Sequence, residues 1–560
     1  MRIDPWREEL HKPGRDTALS YAHAHPDETA LILNGIVNGV AIDFVGDRAA
    51  SRDCENLKSG TENAAVRGKV YKIIGDDVAA GKTAGPFPQR PFLPFSLSPI
   101  GAVPKKGTDK IRKIHHLSFP RGGDSINANT VDMYQPLQDF RAAAEHVRAA
   151  GKGCWLIKLD VEAAYRQVPV QRSDWGLLGF KWRNEQGQVE YYYDRTLPFG
   201  LKSSCRLWEL FATALHYFCE HLLGIRRVVH YIDDFLFVVE SHSDAVAVLA
   251  LALALCKRLG LPMADSKIEG PIQCLQFLGL ELDTVALEAR LGAKRLGDLV
   301  ALLEEWKGKK FATNTERRSL AGILNFAATV VAPGRTFLQR IFADIKHEHN
   351  RGRFANKARR VSAGLQADLN WWRAFAARWN GVSILVPGEW VHAKELFTDA
   401  CLTGWGAYYQ GRWCRAEWTA AELTQSIRVS RESMPYLELR ALLLAVTAFK
   451  EQWRGKRVIF RCDAHAATDA IKRGYSGMPQ TAALLRQLHF LSVENGFEFR
   501  VQWIAGVDNH VADILSRMRD SHSRLRRQQD MIKFREQASA HHPHHEHPEP
   551  TPHLPTMEEM

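Results

Sequence analysis

RRVVHYIDDFLFVVE, Arg226 to Glu240, sets apolar, β-branched runs on both sides of Asp233 and Asp234. Each run reads as a strand, and the two acids fall where a tight turn must join them. Two adjacent carboxylates between apolar strands are costly to bury unless a cation compensates them. Working outward, CWLIKLDVEAAY (Cys154 to Tyr165) ends another apolar run on a further acid, Asp160. The pattern predicts that Asp160 and Asp233 meet at one sheet edge. Oxygen ligands gathered there suit two Mg²⁺ ions for phosphoryl transfer, one activating an attacking hydroxyl and one steadying the leaving pyrophosphate. The plain alternative is a hairpin turn that happens to use Asp-Asp, since Asp is a good turn residue. The companion motifs decide between them.

The chain has 560 residues, 45% of them hydrophobic and 24% charged, which is globular composition at a length that calls for several domains. A formal net charge of +11 favours a polyanionic partner. The nine cysteines form no CxxC pair, so they read as reduced thiols of an intracellular protein. No secretory signal opens MRIDPWREEL, and the longest apolar run, Ala245 to Cys256, is too short to span a bilayer. A soluble protein without membrane contact is expected, nuclear or cytoplasmic, with no decisive signal for either.

Residues 1–95 form a region of unknown role, with one apolar stretch (ALILNGIVNGVAIDFVG) and a proline-dense lead-in, PFPQRPFLPFSLSPIGAVPKK. In 96–287, WLIKLDV, YYYDRTL, RRVVHYI, FLFVV and FLGLELD read as strands. The stretch after Phe199 and Ala245 to Leu259 read as helices. Residues 288–345 and the connector 346–392 are helical, and charge near Arg335 and Arg340 favours a grip on duplex backbone over a plain helical bundle. Residues 393–520 form a second α/β unit. The tail, 521–560, carries RLRRQQDMIKFR and then HHPHHEHPEPTPH, and is expected to be disordered rather than metal-binding.

YIDD resembles the YxDD motif of reverse transcriptases, and IKLDVEAAYRQVPV resembles the metal-binding motif that precedes it. KIRKIHHLSFP is similar to the fingers segment, LPFGLKSS to the template-positioning loop, and ADSKIEG with FLGLELD to the last palm motifs. The resemblance runs in family order from about Ser98 to Leu287. It implies a right-hand polymerase of fingers, palm and thumb, with Asp160, Asp233 and Asp234 as Mg²⁺ ligands and the Val161 carbonyl assisting; Mn²⁺ would also serve. Tyr165 matches the steric gate against a ribose 2′-hydroxyl. Arg112 matches the residue that grips incoming phosphates, with Lys106 and Lys110 nearby. Lys267 matches a proton source for pyrophosphate, although a solvated loop lysine reads equally well. Phe199 stands where retroviral relatives place Gln, at the template or simply in packing.

Past Lys394, three short strands (ELFTDA, WGAYYQ, RWCRAEW) precede a helix, a strand (RVIFRCDA), a helix, a strand (EFRVQWIAG) and a closing helix. Asp399, Glu438, Asp463 and Asp513 fall at or near the ends of four of these elements, and four such acids can converge on a Mg²⁺ pair for phosphodiester hydrolysis. TDACLTGWGA, ELRALLLA, CDAHAA and GVDNHVADILSR resemble the ribonuclease H domain of retroelement reverse transcriptases. Two departures stand out: Ala464 replaces a frequent Asn after the third acid, and the loop before the last helix lacks the catalytic His of some relatives, His510 being out of register. The linker, the LNFAATVVAPGR segment and ADILSR most resemble DIRS-like retrotransposons. The resemblance implies an RNA template, a DNA primer, RNA–DNA hybrid and deoxynucleoside triphosphates as partners. The rival reading is a decayed or domesticated element protein that binds nucleic acid without catalysis; the intact acids speak against it.

Overall fold

The computed structural model describes all residues except 18, 105–108, 133–134, 347–356, 379–393, 421–433, 455, 496, 520–523, 542–548 and 551–560. Lys106 and most of the His-rich tail therefore lie outside the described residues. The chain forms two compact units, Met1–Glu288 and Ala289–Met560, and both are mixed α/β.

In the first unit the strands are β1 (Thr83–Phe87), β2 (Ile100–Pro104), β3 (Ile111–His115), β4 (Trp155–Asp160), β5 (Gly179–Arg183), β6 (Val189–Asp194), β7 (Val228–Tyr231), β8 (Asp234–Val239), β9 (Glu269–Ile272), β10 (Cys274–Phe277) and β11 (Leu280–Asp283). The sheet that matters most has the order β7-β8-β4-β9, with every pairing antiparallel. After Asp234, every residue of β8 is buried, which is why FLFVV is apolar without alternation. The helices Phe140–Ala150, Ser204–Tyr217 and His242–Leu259 cover the sheet. The last of these starts on a Ser241 side-chain cap to the Asp244 amide and stops at Gly260, whose φ of +73° ends the helix in the left-handed region.

The N-terminal region is part of this core. Trp6 and Leu10 of the helix Ile3–His11, Tyr21, and Ile32 of the helix Pro26–Asn38 pack in the same cluster as Phe235, Phe237 and Trp208. The Trp6 indole donates to the Leu259 carbonyl at 3.2 Å.

In the second unit, after β12 (Glu288–Leu291), the chain is helical over Ala293–Glu305, Asn314–Ala327, Gln339–Lys346 and Ala363–Arg378, with short strands β13 (Phe311–Ala312) and β14 (Arg359–Arg360). Thr313 and Glu316 form a reciprocal capping box at the start of the second helix. Arg340, expected on a basic nucleic-acid face, is partly exposed and donates to the buried Asp368 at 2.9 Å and to the Gly364 carbonyl at 2.7 Å. A buried carboxylate needs a cation, and Arg340 supplies one.

Five strands, β15 (Lys394–Ala400), β16 (Gly404–Tyr409), β17 (Arg412–Glu417), β18 (Arg457–Cys462) and β19 (Glu498–Trp503), order as β19-β18-β15-β16-β17, with β20 (Glu549–Pro550) beside β17. β15, β16 and β17 pair antiparallel, while β15, β18 and β19 pair parallel. Alternation sorts the faces: Leu396, Ala407 and Tyr409 join the core with the helix Met434–Phe449, whereas Phe397 and Tyr408 pack with the helix His510–Arg517.

The basic run of the tail corrects the expectation of disorder. Arg524–His541 is a helix, and its Phe534 and Ala538 are fully buried against Tyr408, Val511 and Leu515. Met531, Phe534 and Ala538 recur at helical spacing, an apolar stripe thin enough to be masked by the surrounding charges.

Candidate active sites

The first site grows from the β7–β8 hairpin. Tyr231 pairs with Asp234, leaving Ile232 and Asp233 as a two-residue turn. Ile232 sits at φ +58°, a conformation that a β-branched residue rarely adopts. The fully buried Trp208 donates its indole N–H to the Ile232 carbonyl at 2.8 Å and so pins the turn. On the neighbouring strand Asp160 pairs with Asp234, and the Val161 amide donates to the Asp233 carbonyl at 3.0 Å. Sequence reasoning expected Asp160 and Asp233 at one sheet edge, and they meet there.

Carboxylate oxygens of Asp160, Asp233 and Asp234 lie within 4.8 Å of one another. Asp160 is only 4% exposed. Burial, then the negative charges of Asp233 and Asp160, push the Asp234 carboxyl up to about 6. Burial and Asp160 likewise raise Asp233, an effect that Lys267 and Arg112 oppose. An all-oxygen set whose charges repel one another fits a hard divalent cation.

Lys267 bonds directly to Asp160. Arg112, exposed on β3, is close enough to act on Asp233. Tyr165 lies on a 3₁₀ turn, Ala164–Gln167, immediately after Ala163 at φ +48°. Its ring packs at 5.5 Å from that of Phe199, and its hydroxyl bonds to Cys205. Burial raises the Tyr165 phenol above its ordinary range, with Cys205 next and Asp233 adding to it. Phe199 itself is 39% exposed, and its carbonyl accepts from the His115 amide. Gly200 follows at φ +115°, where a Cβ would lie 2.1 Å from the His115 carbonyl oxygen, so the LPFG turn requires glycine. Trp208, Cys205 and the Lys267–Asp160 pair were not legible as parts of the site.

The second site lies in the five-stranded sheet. Asp399 is near the end of β15, Asp463 directly follows β18, Glu438 is on the helix Met434–Phe449 and Asp513 is on the helix His510–Arg517. The four acids share one electrostatic neighbourhood. Burial, then Asp463 and Asp513, push Asp399 up to about 7 even though the Ser516 hydroxyl donates to it at 2.5 Å. Burial, then Asp399 and Asp463, raise Glu438 well above the usual carboxylate range. Asp463 is raised by burial and by Asp513 against a hydrogen bond from Asn509.

Glu438, Asp463 and Cys462 place ligand atoms within 4.8 Å of one another. Asp513 bonds Arg517 at 2.6 Å on the exposed side. The fully buried Asn509 ties the cluster together by donating to the Thr398 carbonyl at 2.9 Å. His510 Nδ1 lies 2.9 Å from the Val507 carbonyl, to which it donates. Neither Asn509 nor Ser516 was singled out from the sequence, although both lie in the closing GVDNHVADILSR segment.

Residues 103–282 match the family described as "Reverse transcriptase (RNA-dependent DNA polymerase)". Polyprotein P3 of Commelina yellow mottle virus is 22% identical over 435 residues, covering 75% of this chain and 21% of the relative. The enzymatic polyprotein of Cestrum yellow leaf curling virus is 28% identical over 130 residues, covering 23% of this chain and 19% of the relative. The chain thus spans about a fifth of the length of these curated relatives. Among solved structures, a foamy viral protease-reverse transcriptase (dRH) in complex with double-stranded DNA aligns over 90% of this chain and 82% of its own, at 13% identity and a TM-score of 0.49. The foamy viral protease-reverse transcriptase in complex with RNA/DNA hybrid aligns over 94% and 65%, at 12% identity and a TM-score of 0.47. No helix among the described residues is long and apolar enough to cross a membrane.

Proposed function

We propose that this chain is an RNA-directed DNA polymerase of a retrotransposon, with ribonuclease H cleavage of RNA in RNA–DNA hybrids at its second site. The observation that carries the reading is the convergence of Asp160, Asp233 and Asp234 within 4.8 Å at the tip of a pinned hairpin, inside the segment that matches the reverse transcriptase family. These acids, with the Val161 carbonyl, would hold Mg²⁺ (or Mn²⁺), which lowers the barrier to nucleotidyl transfer by polarising the attacking and leaving oxygens.

The chain's own residues do the rest. Arg112 binds the triphosphate of the incoming nucleotide, Tyr165 closes the space a 2′-hydroxyl would need, and Phe199 underlies the template. Lys267 orients Asp160 and is a proton source for departing pyrophosphate. At the second site Asp399, Glu438, Asp463 and Asp513 would hold Mg²⁺, while Ser516 and Asn509 fix Asp399 and Asp463. The substrates are RNA template, DNA primer, RNA–DNA hybrid and deoxynucleoside triphosphates. The LNFAATVVAPGR segment and the ADILSR ending support a DIRS-like element.

The test is primer extension on an RNA template with Mg²⁺ and deoxynucleotides, comparing the native chain with Asp233→Asn. Extension that vanishes in the variant establishes the reading. A native chain that binds primer–template yet extends nothing would make it a nucleic-acid-binding relic.

A further inference from the structure

Behind the Tyr165 turn lies a buried ion network that the chemistry above does not use. Asp194, at the end of β6, is fully buried. It meets His115 Nδ1 at 2.9 Å, the Thr83 hydroxyl at 2.9 Å and the Arg166 guanidinium at 2.9 Å. Arg166 also reaches Asp77 at 3.3 Å, and Lys113 reaches Asp77 at 2.7 Å. Two acids thus face two permanent cations, and Asp194 stays well below the ordinary carboxylate range; burial alone would raise it, but Arg166, Lys113 and His115 hold it down. Such a set is self-compensating only while it is complete.

The geometry joins three parts of the chain. Asp77 and Thr83 belong to the N-terminal region outside the matched segment, Lys113 and His115 follow Arg112 on β3, and Arg166 directly follows Tyr165. Arg166 further donates to the Thr196 carbonyl at 3.1 Å and the Lys82 carbonyl at 3.3 Å. The turn it anchors begins at a left-handed Ala163, a conformation that needs outside support. Tyr165 itself is partly buried against the core, with its ring 5.5 Å from that of Phe199 and its hydroxyl on the Cys205 thiol, and it has no ionic anchor of its own among these contacts.

We propose that Arg166 is a specificity-determining positioning residue. By fastening the 163–167 turn to Asp194, Asp77 and, through them, β3, it sets where the Tyr165 ring stands against the sugar of an incoming nucleotide and where Arg112 meets its phosphates. This rests on the polymerase reading above. It also gives the N-terminal region a role, that of holding the nucleotide-selecting parts in register.

Arg166→Met alone leaves a buried acid uncompensated and risks misfolding. The informative variant is Arg166→Met with Asp194→Asn, which keeps one acid, Asp77, facing one cation, Lys113. Expected in primer extension is a dNTP KM raised about tenfold, a kcat within a few-fold of native, and discrimination against ribonucleotides reduced about tenfold. Arg166→Lys, which keeps the charge but not the fork, should recover part of the selectivity. Amide hydrogen exchange of the full chain provides a readout independent of activity: exchange at residues 163–168 should speed up in the double variant. Native KM and native selectivity in that variant would overturn the inference. If the native chain extends no primer, the polymerase reading fails separately, and unchanged exchange at 163–168 would still overturn the anchoring role.

Discussion

The two carboxylate clusters use the same residue types on opposite supports. The first is carried by a two-residue turn and an adjacent strand end, with Lys267 bonded to Asp160 and Arg112 acting on Asp233. The second gathers Asp399, Glu438, Asp463 and Asp513 from two strand ends and two helices, steadied mainly by the neutral donors Ser516 and Asn509. Cations near the first cluster offset part of its charge at rest. The second has a cation only on its exposed side, where Arg517 bonds Asp513, and its buried Asp399 and Glu438 rely largely on protonation or a bound divalent ion. On the proposed function, a site that admits a triphosphate gains from fixed positive charge, whereas one that hydrolyses a nucleic-acid backbone relies more on its metal.

Removing one acid from each cluster should separate the two sites most strongly. Asp233→Asn should lower primer extension by about 10²–10³-fold and leave hybrid cleavage standing, and Asp463→Asn should do the reverse. Loss of both activities from either change would mean that the clusters are not independent. Next in size, Tyr165→Ala should admit ribonucleotides at least about tenfold better, while Tyr165→Phe should not, because the ring rather than the hydroxyl fills the space. Unmoved selectivity in the Ala variant would remove Tyr165 from the gate.

A smaller effect separates the clusters by pH. Carboxyls raised by burial and mutual repulsion are protonated below their shifted values, and metal binding must then displace protons. Asp399 lies at about 7 and Asp234 at about 6. Between pH 8 and pH 6.5 hybrid cleavage should therefore fall roughly threefold further than primer extension at equal subsaturating Mg²⁺. Parallel profiles would show that the two sets of supports are equivalent.

Legibility in the sequence follows the range of the interactions. The β7–β8 hairpin was readable because its two strands and its acids are contiguous, and the order of strands and helices around Asp399 and Asp463 was readable for the same reason. Features that depend on distant partners were hidden. Trp6 and Leu10 sit on a short, charged helix, and nothing local shows that they complete the sheet's core. Arg340 looks like any basic-face residue until Asp368 is found against it. Phe534 and Ala538 are two apolar positions in a run of charges, and their burial depends on Tyr408 and Leu515. Asn509 and Ser516 are small polar residues whose role exists only once β15 and the closing helix are packed.

The smallest expected effect reports on the second cluster at rest. A carboxyl whose folded value lies above its unfolded one opposes folding as soon as pH exceeds the unfolded value, and does so in full above the folded value. For Asp399, raised by burial to about 7, that regime is reached at pH 8. Without divalent metal, Asp399→Asn should stabilise the full chain there by about 1–3 kcal/mol, because the amide still accepts the Ser516 hydroxyl and carries no charge. At pH 4, where the carboxyl is protonated in the fold, most of the gain should vanish. Saturating Mg²⁺ should reverse the order, since only the native cluster gains the binding energy of the ion. Asp513→Asn, at a half-buried position already paired with the exposed Arg517, should shift thermal unfolding far less. Equal shifts from the two substitutions would mean that burial does not distinguish the acids, and the contrast drawn between the clusters would fail.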